Sequence, residues 1–405
     1  MSLLPVSEAI ERIVAGVAAK GSETVPLAAA LGRVLAGPVI ARRTQPPFDA
    51  SSMDGYAVRS AHAVAGAPLT VIGQSVAGAA FAGEVGGGQA VRILTGAPMP
   101  AGADGVLLQE DAEAGGTAVI TVKETVRAGQ FIRRKGLDFD AGATVLARGR
   151  RLGPRDLAVA AAMDHPLLEV VQRPSVAILS TGDELMRPGE PRGPDQIVAA
   201  SGYGIAAMVT EAGGVAVDLG ISPDDIGVLG DRIDAAKAGG ADILVTLGGA
   251  SAGDRDLIKP ALAARGLALD FWKIALRPGK PLLFGHLPPM MVLGLPGNPV
   301  SSLVCGILFL RPLISALLGE AIADPTESAI LATDVKANDG RLDYQRARLV
   351  VREGGLPEVT PFPVQDSSML SVLAAADCLL IRAPFATAAK AGSPCRIIRF
   401  GGSRL

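Results

Sequence analysis

Histidine and cysteine, the residues that most often bind transition metals or form disulfide bonds, are scarce in this sequence. The 405 residues include three of each, scattered along the chain: His62, His165, His286, Cys305, Cys378 and Cys395. Their separation argues against a His/Cys metal cluster, and the odd number of cysteines argues against a disulfide framework. Both features are typical of the reducing cytosol, so we expect a cytoplasmic protein.

Aromatic and charged residues are also infrequent, at 3% and 19%, and the net charge is -2. Without a basic excess or many stacking aromatics, the chain is not expected to bind nucleic acid. The longest apolar run, near Leu303–Leu310, stops at Arg311 and Pro312, well below the ~20 residues that a membrane span needs. The mean hydropathy of +0.37 therefore indicates buried parallel strands and their helices.

The order of helical and strand patterns predicts a multidomain α/β protein. Residues 1–40 begin with a helix whose apolar face runs from Val6 to Val17, followed by a segment rich in Ala and Leu, and residues 147–172 return to a helical pattern. Together they predict a first, helical or mixed domain, into which a small β domain of residues 41–146 is inserted. Residues 173–324 alternate strands and helices, which predicts a mainly parallel sheet with covering helices. Ile243–Leu247 is one of the predicted strands, and the helix after LPGNP should run from Val300 to about Leu318, with Pro312 as a candidate kink. Short strand patterns in residues 325–405 predict a C-terminal β domain.

Three glycine-containing loops follow predicted strands and should meet at the carboxyl edge of the parallel sheet, where such sheets bind ligands. They are STGDEL at Ser180–Leu185, TLGGASAGDRD at Thr246–Asp256 and LPGNPVSS at Leu295–Ser302. Their glycines let backbone N–H groups approach a ligand, and a helix N-terminus favours an anion. The loop carboxylates indicate an amino-substituted heterocycle or Mg²⁺ that neutralises phosphate. Each loop alone is also typical of an ordinary turn.

Three further segments carry polar residues whose role the sequence leaves open. RPGKP, at Arg277–Pro281, suits a small oxyanion but also a solvated charged turn. PPFDASSMDGYAV, at Pro46–Val58, can complete a site or simply link two domains. GLDFDAG, at Gly136–Gly142, places Asp138 in a glycine-flanked turn and is equally ambiguous.

One pattern resembles a dinucleotide-binding fingerprint. Residues Gly202–Ala207 read G-x-G-x-x-A, and Asp218 ends the next strand pattern. The run before the glycines, Ile197–Ala200, is short, and Val176–Ser180 already supplies the strand of this unit. We therefore do not expect NAD binding.

Seven sequence blocks, taken in order, resemble those of the molybdopterin molybdenumtransferase family, which includes the C-terminal domain of gephyrin. They are PPFDASSMDGYAV, LTGAPMPAGAD, RRKGLDF, STGDEL, TLGGASAGDRD, RPGKP and LPGNPVSS. The resemblance covers nearly the whole chain. It implies an elongated homodimer with its site between the αβ domain of one subunit and the inserted domain of the other. Molybdopterin adenylyltransferase and molybdoenzyme-specific chaperones are the expected partners.

The resemblance also implies Mg²⁺-dependent hydrolysis of adenylylated molybdopterin, with release of AMP and insertion of molybdate into the dithiolene. The catalytic residues expected from it are Asp54, Asp138, Glu184 and Asp256. Together with the glycine loops it predicts these cofactor-binding residues: Thr95, Thr181, Gly182, Asp224, Gly248, Gly249, Ser251, Gly253, Pro296, Gly297 and Asn298. The residues expected to contact molybdate are Arg277, Lys280, Pro299, Arg346 and Ser367. Glu184 and Asp256 are the expected metal ligands, because a hard cation offsets the excess of carboxylates.

The chain departs from the family pattern in two places. Ala199-Ala200-Ser201 stands where the family usually has an Asp/Ser/Thr-Asn pair, and Arg277 stands where lysine is more common. The first departure removes hydroxyl and amide groups and keeps open a non-catalytic carrier that only holds the cofactor. A molybdopterin adenylyltransferase is a third alternative, although that activity needs only the αβ domain.

Overall fold

The structure, a computed structural model, describes residues 3–115, 118–249 and 257–401. The chain divides into two compact units, one of Met1–Glu23 with Val171–Leu405 and one of Thr24–Val170. We refer to them as the first unit and the second unit.

A six-stranded mixed sheet forms the centre of the first unit. In spatial order its strands are Val215–Ser222, Ser175–Thr181, Ile243–Leu247, Met290–Leu295, Leu283–Leu287 and Ala268–Trp272. The first four are parallel, and the last two pair antiparallel. All five side chains of Ile243–Leu247 are buried, as expected of a central parallel strand with both faces covered. The predicted mainly parallel sheet is therefore confirmed.

Helices pack against this sheet, and their bounds refine the prediction. The helices described in the first unit are Val6–Val14, Ser201–Glu211, Ile226–Ala238, Ile258–Ala263, Leu370–Ala374 and a run of Pro299–Cys305, Gly306–Leu310 and Arg311–Leu317. Asp225 accepts hydrogen bonds from the backbone N–H groups of Gly227 and Val228 at 2.8 and 2.9 Å. Asp225, and not Asp224, therefore caps the helix that follows.

The run from Pro299 to Leu317 is long and apolar enough, by length and composition alone, to cross a membrane. Its most apolar window is 67% buried inside the protein, which is typical of a core helix. The sequence suggested a kink at Pro312, but the irregularity lies one turn earlier, where Gly306–Leu310 is π-helical. Proline has no backbone N–H to continue the helical hydrogen bonds, and a wider turn before it accommodates that loss.

Five strands of the C-terminal region close into a barrel. In order around the barrel they are Leu342–Val350, Glu358–Pro361, Thr326–Leu331, Pro394–Arg399 and Cys378–Arg382, the last pairing with the first. The short strand Leu276–Arg277 pairs in parallel with the first of them, which puts Arg277 beside Asp343. The RPGKP segment is thus attached to the barrel.

The second unit is built around a six-stranded sheet of its own. In spatial order its strands are Gly105–Leu108, Gly55–Val58, Gln89–Ile93, Pro68–Ser75, Val119–Val122 and Ala112–Ala114. Two short antiparallel pairs join Ala50–Ser51 to Ile132–Arg133 and Val39–Ile40 to Thr144–Leu146. The short β runs expected between residues 41 and 146 are therefore confirmed.

Two of the expected helical stretches are wrong in extent. The N-terminal helix stops at Val14, before Gly16 at a φ of 70°, a conformation that favours glycine. Of residues 147–172, only Pro154–Ala162 is helical, whereas Leu167–Val171 is a strand whose first four side chains alternate between exposed and buried. The remaining short elements are the strands Ser22–Pro26, Leu185–Met186 and Ile197–Val198 and the 3₁₀ turns Leu27–Ala29, Ser60–His62 and Gln109–Asp111.

Candidate functional site

A cleft of about 1020 Å³ opens in the first unit at the carboxyl ends of the parallel strands. Loops that follow all four parallel strands and a loop of the barrel contribute to its walls. It brings together these residues of the predicted site: Thr181, Gly182, Glu184, Asp224, Gly248, Gly249, Arg277, Lys280, Pro296, Gly297, Asn298, Pro299 and Ser367. Residues far apart in the sequence thus share one cavity at the edge where an open parallel sheet binds its ligand.

Glycine is needed where two of the loops touch. Gly248 has a φ of 97°, and a Cβ atom there would lie 2.7 Å from the carbonyl oxygen of Thr181. Gly249 has a φ of 63°, and a Cβ atom there would meet Ile258 at 2.8 Å. A side chain at either position would strain the backbone and push the loops apart.

The two carboxylates of STGDEL have different surroundings. Asp183 accepts a hydrogen bond from the backbone N–H of Asp224 at 3.0 Å and so ties its loop to the end of the next strand. Glu184 lines the cleft, with its carboxylate 2.5 Å from where a Cβ atom of Gly182 would lie. Glu184 is therefore the carboxylate of this loop that a ligand in the cleft can reach.

Two helices begin at the cleft without a side-chain cap. Helix Ser201–Glu211 follows Ala200, and the helix that starts at Pro299 follows Asn298; neither preceding side chain bonds to the helix. Backbone N–H groups at such ends carry partial positive charge and stabilise anions. Residues 199–201, where the chain departs from the family pattern, also line the cleft. The departure therefore changes the wall of the cleft itself.

The two cationic side chains of RPGKP differ in whether they are bonded to other side chains. Arg277 donates hydrogen bonds to Asp343 at 2.7 Å and to Asn338 at 2.8 Å. A third bond reaches Asp339 at 3.2 Å. The hydrogen bond to Asp343 has the largest effect on the pKa of this guanidinium, which it raises. Lys280 is exposed in the cleft and, within the described part of the chain, forms no ion pair, so it is the cation that an incoming oxyanion can engage.

Gly279, between these two cations, lies directly on a buried thiol. Its φ is 119°, and a Cβ atom there would come within 2.5 Å of the sulfur of Cys305. Cys305 is completely buried, and burial raises the pKa of its thiol. Glycine therefore lets the RPGKP segment rest against the helix that begins at Pro299.

Arg346 lies behind the cleft wall. Its side chain is 1% exposed, and its Nε donates to the side-chain oxygen of Gln365 at 3.0 Å. Its Nη1 donates to the carbonyl oxygen of Asp366 at 2.6 Å. These bonds hold the loop that presents Ser367 to the cleft. The resemblance implies contact with molybdate, whereas these bonds point to a positioning role for Arg346.

Sequence reasoning missed several polar residues of the cleft. They are Ser180, Ser301, Arg341, Gln365, Asp366 and Ser368. Ser180 belongs to STGDEL and Ser301 to LPGNPVSS, so these two motifs could have indicated both residues. Arg341 and the loop near Gln365 come from the barrel, and no pattern in the sequence shows that this barrel borders the sheet.

Asp54 and Thr95 lie together in the second unit. One carboxylate oxygen of Asp54 accepts hydrogen bonds from the backbone N–H of Thr95 at 2.7 Å and from its hydroxyl at 2.8 Å. These bonds lower the pKa of the Asp54 carboxyl. Asp138 is exposed in the same unit, and its backbone N–H donates to the carbonyl oxygen of Gln45 at 3.0 Å.

Part of the predicted site lies outside the described residues, namely Ser251, Gly253 and Asp256. Within residues 3–115, 118–249 and 257–401, no three His, Cys, Asp or Glu side chains are grouped to hold a metal ion. Mg²⁺ often needs only one or two carboxylates, with phosphate oxygens and water as its other ligands. Glu184 in the cleft fits such a donor set.

Three family models match successive parts of the chain. They are the MoeA N-terminal region (domain I and II) over residues 4–163, the probable molybdopterin binding domain over residues 177–316 and the MoeA C-terminal region (domain IV) over residues 328–400. Their order is that of the second unit, the sheet and the barrel along the chain.

Relatives of similar length share about a third of their residues with this chain. The molybdopterin molybdenumtransferase of Haemophilus influenzae is 36% identical over 362 residues, which is 89% of each chain. That of Bacillus subtilis is 33% identical over 387 residues, 93% of this chain and 90% of the relative. The crystal structure of the molybdopterin biosynthesis MoeA protein from Pyrococcus horikoshii OT3 matches with a TM-score of 0.84 at 28% identity, over 98% of this chain and 100% of that one.

We expect Arg346→Lys to destabilise the protein. Lysine keeps the charge but lacks the planar donors that reach Gln365 and Asp366 together, so a buried acceptor loses its partner. The free energy of unfolding should fall by about 1–3 kcal/mol in urea denaturation followed by circular dichroism. Arg348→Lys, at an exposed position of the same strand, is the matched control and should change little. Equal stability of the two variants would contradict the positioning role.

Proposed function

Since this chain belongs to the molybdopterin molybdenumtransferase (MoeA) family and is an enzyme of molybdenum cofactor biosynthesis, we propose that its cleft binds adenylylated molybdopterin and molybdate. The reaction releases AMP and inserts molybdate into the dithiolene. One observation carries this proposal: glycine loops, two uncapped helix N-termini, a carboxylate and a free lysine converge in a single cleft. Such a set of groups suits a polyanionic substrate that also carries hydrogen-bond donors.

The phosphate groups of the substrate belong beside the glycine loops in this proposal. The N-terminal end of helix Ser201–Glu211, which has no side-chain cap, offers neutral backbone N–H donors there. The backbone N–H of Gly248 donates to the carbonyl oxygen of Leu295 and so helps to hold its loop in place. Neutral donors at fixed positions stabilise charge on phosphate oxygens without an ion pair that must be desolvated. The substrate is thereby oriented for cleavage of its phosphoanhydride bond.

Glu184 is the described residue that would hold Mg²⁺, and Asp256 is its expected partner by resemblance. When bound, the ion would supply positive charge next to the pyrophosphate oxygens. Asp183 orients this arrangement indirectly, since its bond to the backbone of Asp224 fixes the loop that carries Glu184.

Molybdate belongs at the other side of the cleft, next to the barrel. Lys280 provides the free positive charge and Ser367 a hydroxyl donor. The backbone N–H of Val300, in the first turn of the helix that starts at Pro299, donates to the carbonyl oxygen of Ser367 and helps to hold that residue at the cleft. Arg277 and Arg346 hold the two segments that carry Lys280 and Ser367. Asp54, Thr95 and Asp138 remain predicted site residues of the second unit.

We also propose a cytoplasmic homodimer that receives its substrate from a molybdopterin adenylyltransferase and passes its product to molybdoenzyme-specific chaperones. An apolar patch on the second unit supports the dimer. Phe48, Met53 and Leu137 are 41%, 42% and 67% exposed, on two loops that the hydrogen bond from Gly136 N–H to the Pro46 carbonyl oxygen joins. Exposed apolar side chains grouped in this way often mark a protein interface.

The function is tested by mixing the purified protein with adenylylated molybdopterin, molybdate and Mg²⁺ and following AMP release and formation of active cofactor. In that assay, Lys280→Ala should raise the molybdate concentration needed for half-maximal rate at least about tenfold, because one charge-assisted bond is lost. Binding of adenylylated molybdopterin should change much less.

Lys237→Ala, at an exposed position of helix Ile226–Ala238, is the matched control and should behave as the wild type does. Equal losses of molybdate use and of pterin binding in Lys280→Ala would mean that Lys280 binds phosphate. Absence of AMP release by the wild type would refute the proposed function.

Glu184→Gln should weaken the binding of Mg²⁺ in the cleft. Glutamine keeps the shape but loses the charge, so AMP release should need at least about tenfold more Mg²⁺ for half-maximal rate. Glu211→Gln, at an exposed helix end, serves as the control in the same magnesium titration. An unchanged titration for Glu184→Gln would remove this residue from the metal site.

Leu137→Glu should weaken the proposed dimer, because it replaces the most exposed of these three apolar side chains by a charged one. Light scattering at micromolar concentration should show a dimeric mass for the wild type and a lower mass for the variant. Val64→Glu, at an exposed position elsewhere in the second unit, should stay dimeric. A monomeric wild type would contradict the dimer, and a fully dimeric Leu137→Glu would place the interface elsewhere.

A further inference from the structure

The helix Pro299–Cys305 contacts both segments that carry the proposed molybdate ligands. Near its start, the backbone N–H of Val300 donates to the carbonyl oxygen of Ser367 at 3.1 Å. At its end, the thiol of Cys305 donates to the carbonyl oxygen of Gly279, in RPGKP, at 4.0 Å. One helix therefore touches the barrel loop with its first turn and RPGKP with its last residue.

A neighbouring helix, Ser201–Glu211, keeps this helix from moving away from RPGKP. A Cβ atom on Gly204 would lie 2.7 Å from Leu303, and a Cβ atom on Gly306 would lie 2.9 Å from side chains of the neighbouring helix. The two helices are thus in close contact at both glycines, and a packed interior resists compression. A change of volume at Cys305 is therefore transmitted to RPGKP.

The hydrogen bond from Cys305 orients the peptide group between Gly279 and Lys280. This peptide group is trans, so its N–H points in the direction opposite to its carbonyl oxygen. Because the carbonyl oxygen faces the thiol, the N–H of Lys280 points to the side away from the helix. Glycine has no Cβ atom and leaves this peptide group several orientations, so the thiol selects one of them.

Lys280 has a backbone donor to offer besides its ammonium group. Among the described residues, neither its N–H nor that of Gly279 has a hydrogen-bond partner, and both residues line the cleft. The carbonyl oxygen of Lys280, in contrast, accepts the N–H of Ile274 at 3.0 Å. The ammonium group can adjust its place by rotation of a flexible side chain, whereas a backbone N–H stays where its segment puts it. The backbone donor therefore depends on how RPGKP is held.

We propose that Cys305 is a positioning residue for the binding of molybdate. Its thiol holds the peptide group between Gly279 and Lys280 so that the N–H of Lys280 donates to a molybdate oxygen beside the ammonium group. The helix also holds Ser367 and so sets the spacing between the two segments. This inference rests on the proposed function, in which Lys280 and Ser367 contact molybdate, and adds a residue that acts on them without touching the substrate.

The test measures the molybdate concentration that gives the half-maximal rate of active cofactor formation by the full chain. Cys305→Ala removes the thiol and should raise this concentration at least about threefold, because the peptide group can then rotate. Cys305→Val fills the place of the sulfur atom but cannot donate, and should raise it as well. Cys305→Ser keeps a donor and should remain close to the wild type. The maximal rate at saturating molybdate and the affinity for adenylylated molybdopterin should change much less in all three.

Cys378→Ala is the matched control. Cys378 is also buried, and its thiol donates to the carbonyl oxygen of Ala347 at 3.8 Å inside the barrel. The control thus loses the same kind of hydrogen bond but leaves RPGKP unchanged, so its half-maximal molybdate concentration should equal that of the wild type. A smaller folded fraction alone lowers the maximal rate and does not change this concentration, which separates loss of stability from loss of positioning.

An unchanged molybdate dependence in Cys305→Ala and Cys305→Val would overturn the inference, and so would a Cys305→Ser variant as impaired as Cys305→Ala. If Lys280→Ala still raises the half-maximal molybdate concentration in that case, the proposed function stands and only the role of Cys305 is wrong. A wild type that releases no AMP from adenylylated molybdopterin and forms no active cofactor would refute both.

Discussion

The cleft depends on the joint between the sheet and the barrel of the first unit. Two residues, Leu276 and Arg277, pair in parallel with a barrel strand, and the guanidinium of Arg277 is anchored by Asp343, whose side chain is 6% exposed. Removing one partner of such a pair leaves the other charge poorly solvated, which costs more than the intact pair contributes. The joint therefore fixes RPGKP in one position relative to the barrel loop that presents Ser367.

Local patterns in the sequence predicted much of the sheet, because those patterns encode strands and turns directly. Ile243–Leu247 was predicted to the residue, since a short run of β-branched and leucine residues between turn signals has few other conformations. The stretch 147–172 was wrong because a helical period and a half-buried strand cannot be separated in a short apolar segment.

The roles of the cations could not be predicted, because they depend on partners distant in the sequence. Arg277 bonds to a residue 66 positions away, and Arg346 to a loop about 20 positions away. The motif RPGKP alone does not distinguish Arg277 from Lys280. In the structure Arg277 is paired with carboxylates, which leaves Lys280 as the free positive charge of this segment. Much of the remaining attraction for an anion comes from helix ends and glycine loops, which carry no charged side chain at all.

The thiol that lies beneath Gly279 has a chemical consequence for an enzyme that handles a dithiolene. Thiolates, not thiols, attack other sulfur centres, and the three cysteines of this chain are held in the thiol form. Burial raises the pKa of Cys378 to about 12 and that of Cys395 to about 11, and Cys305, next to the cleft, is the most deeply buried. In the proposed function, thiols held in this form would not exchange with the two sulfur atoms of a bound dithiolene, which would stay available to the metal.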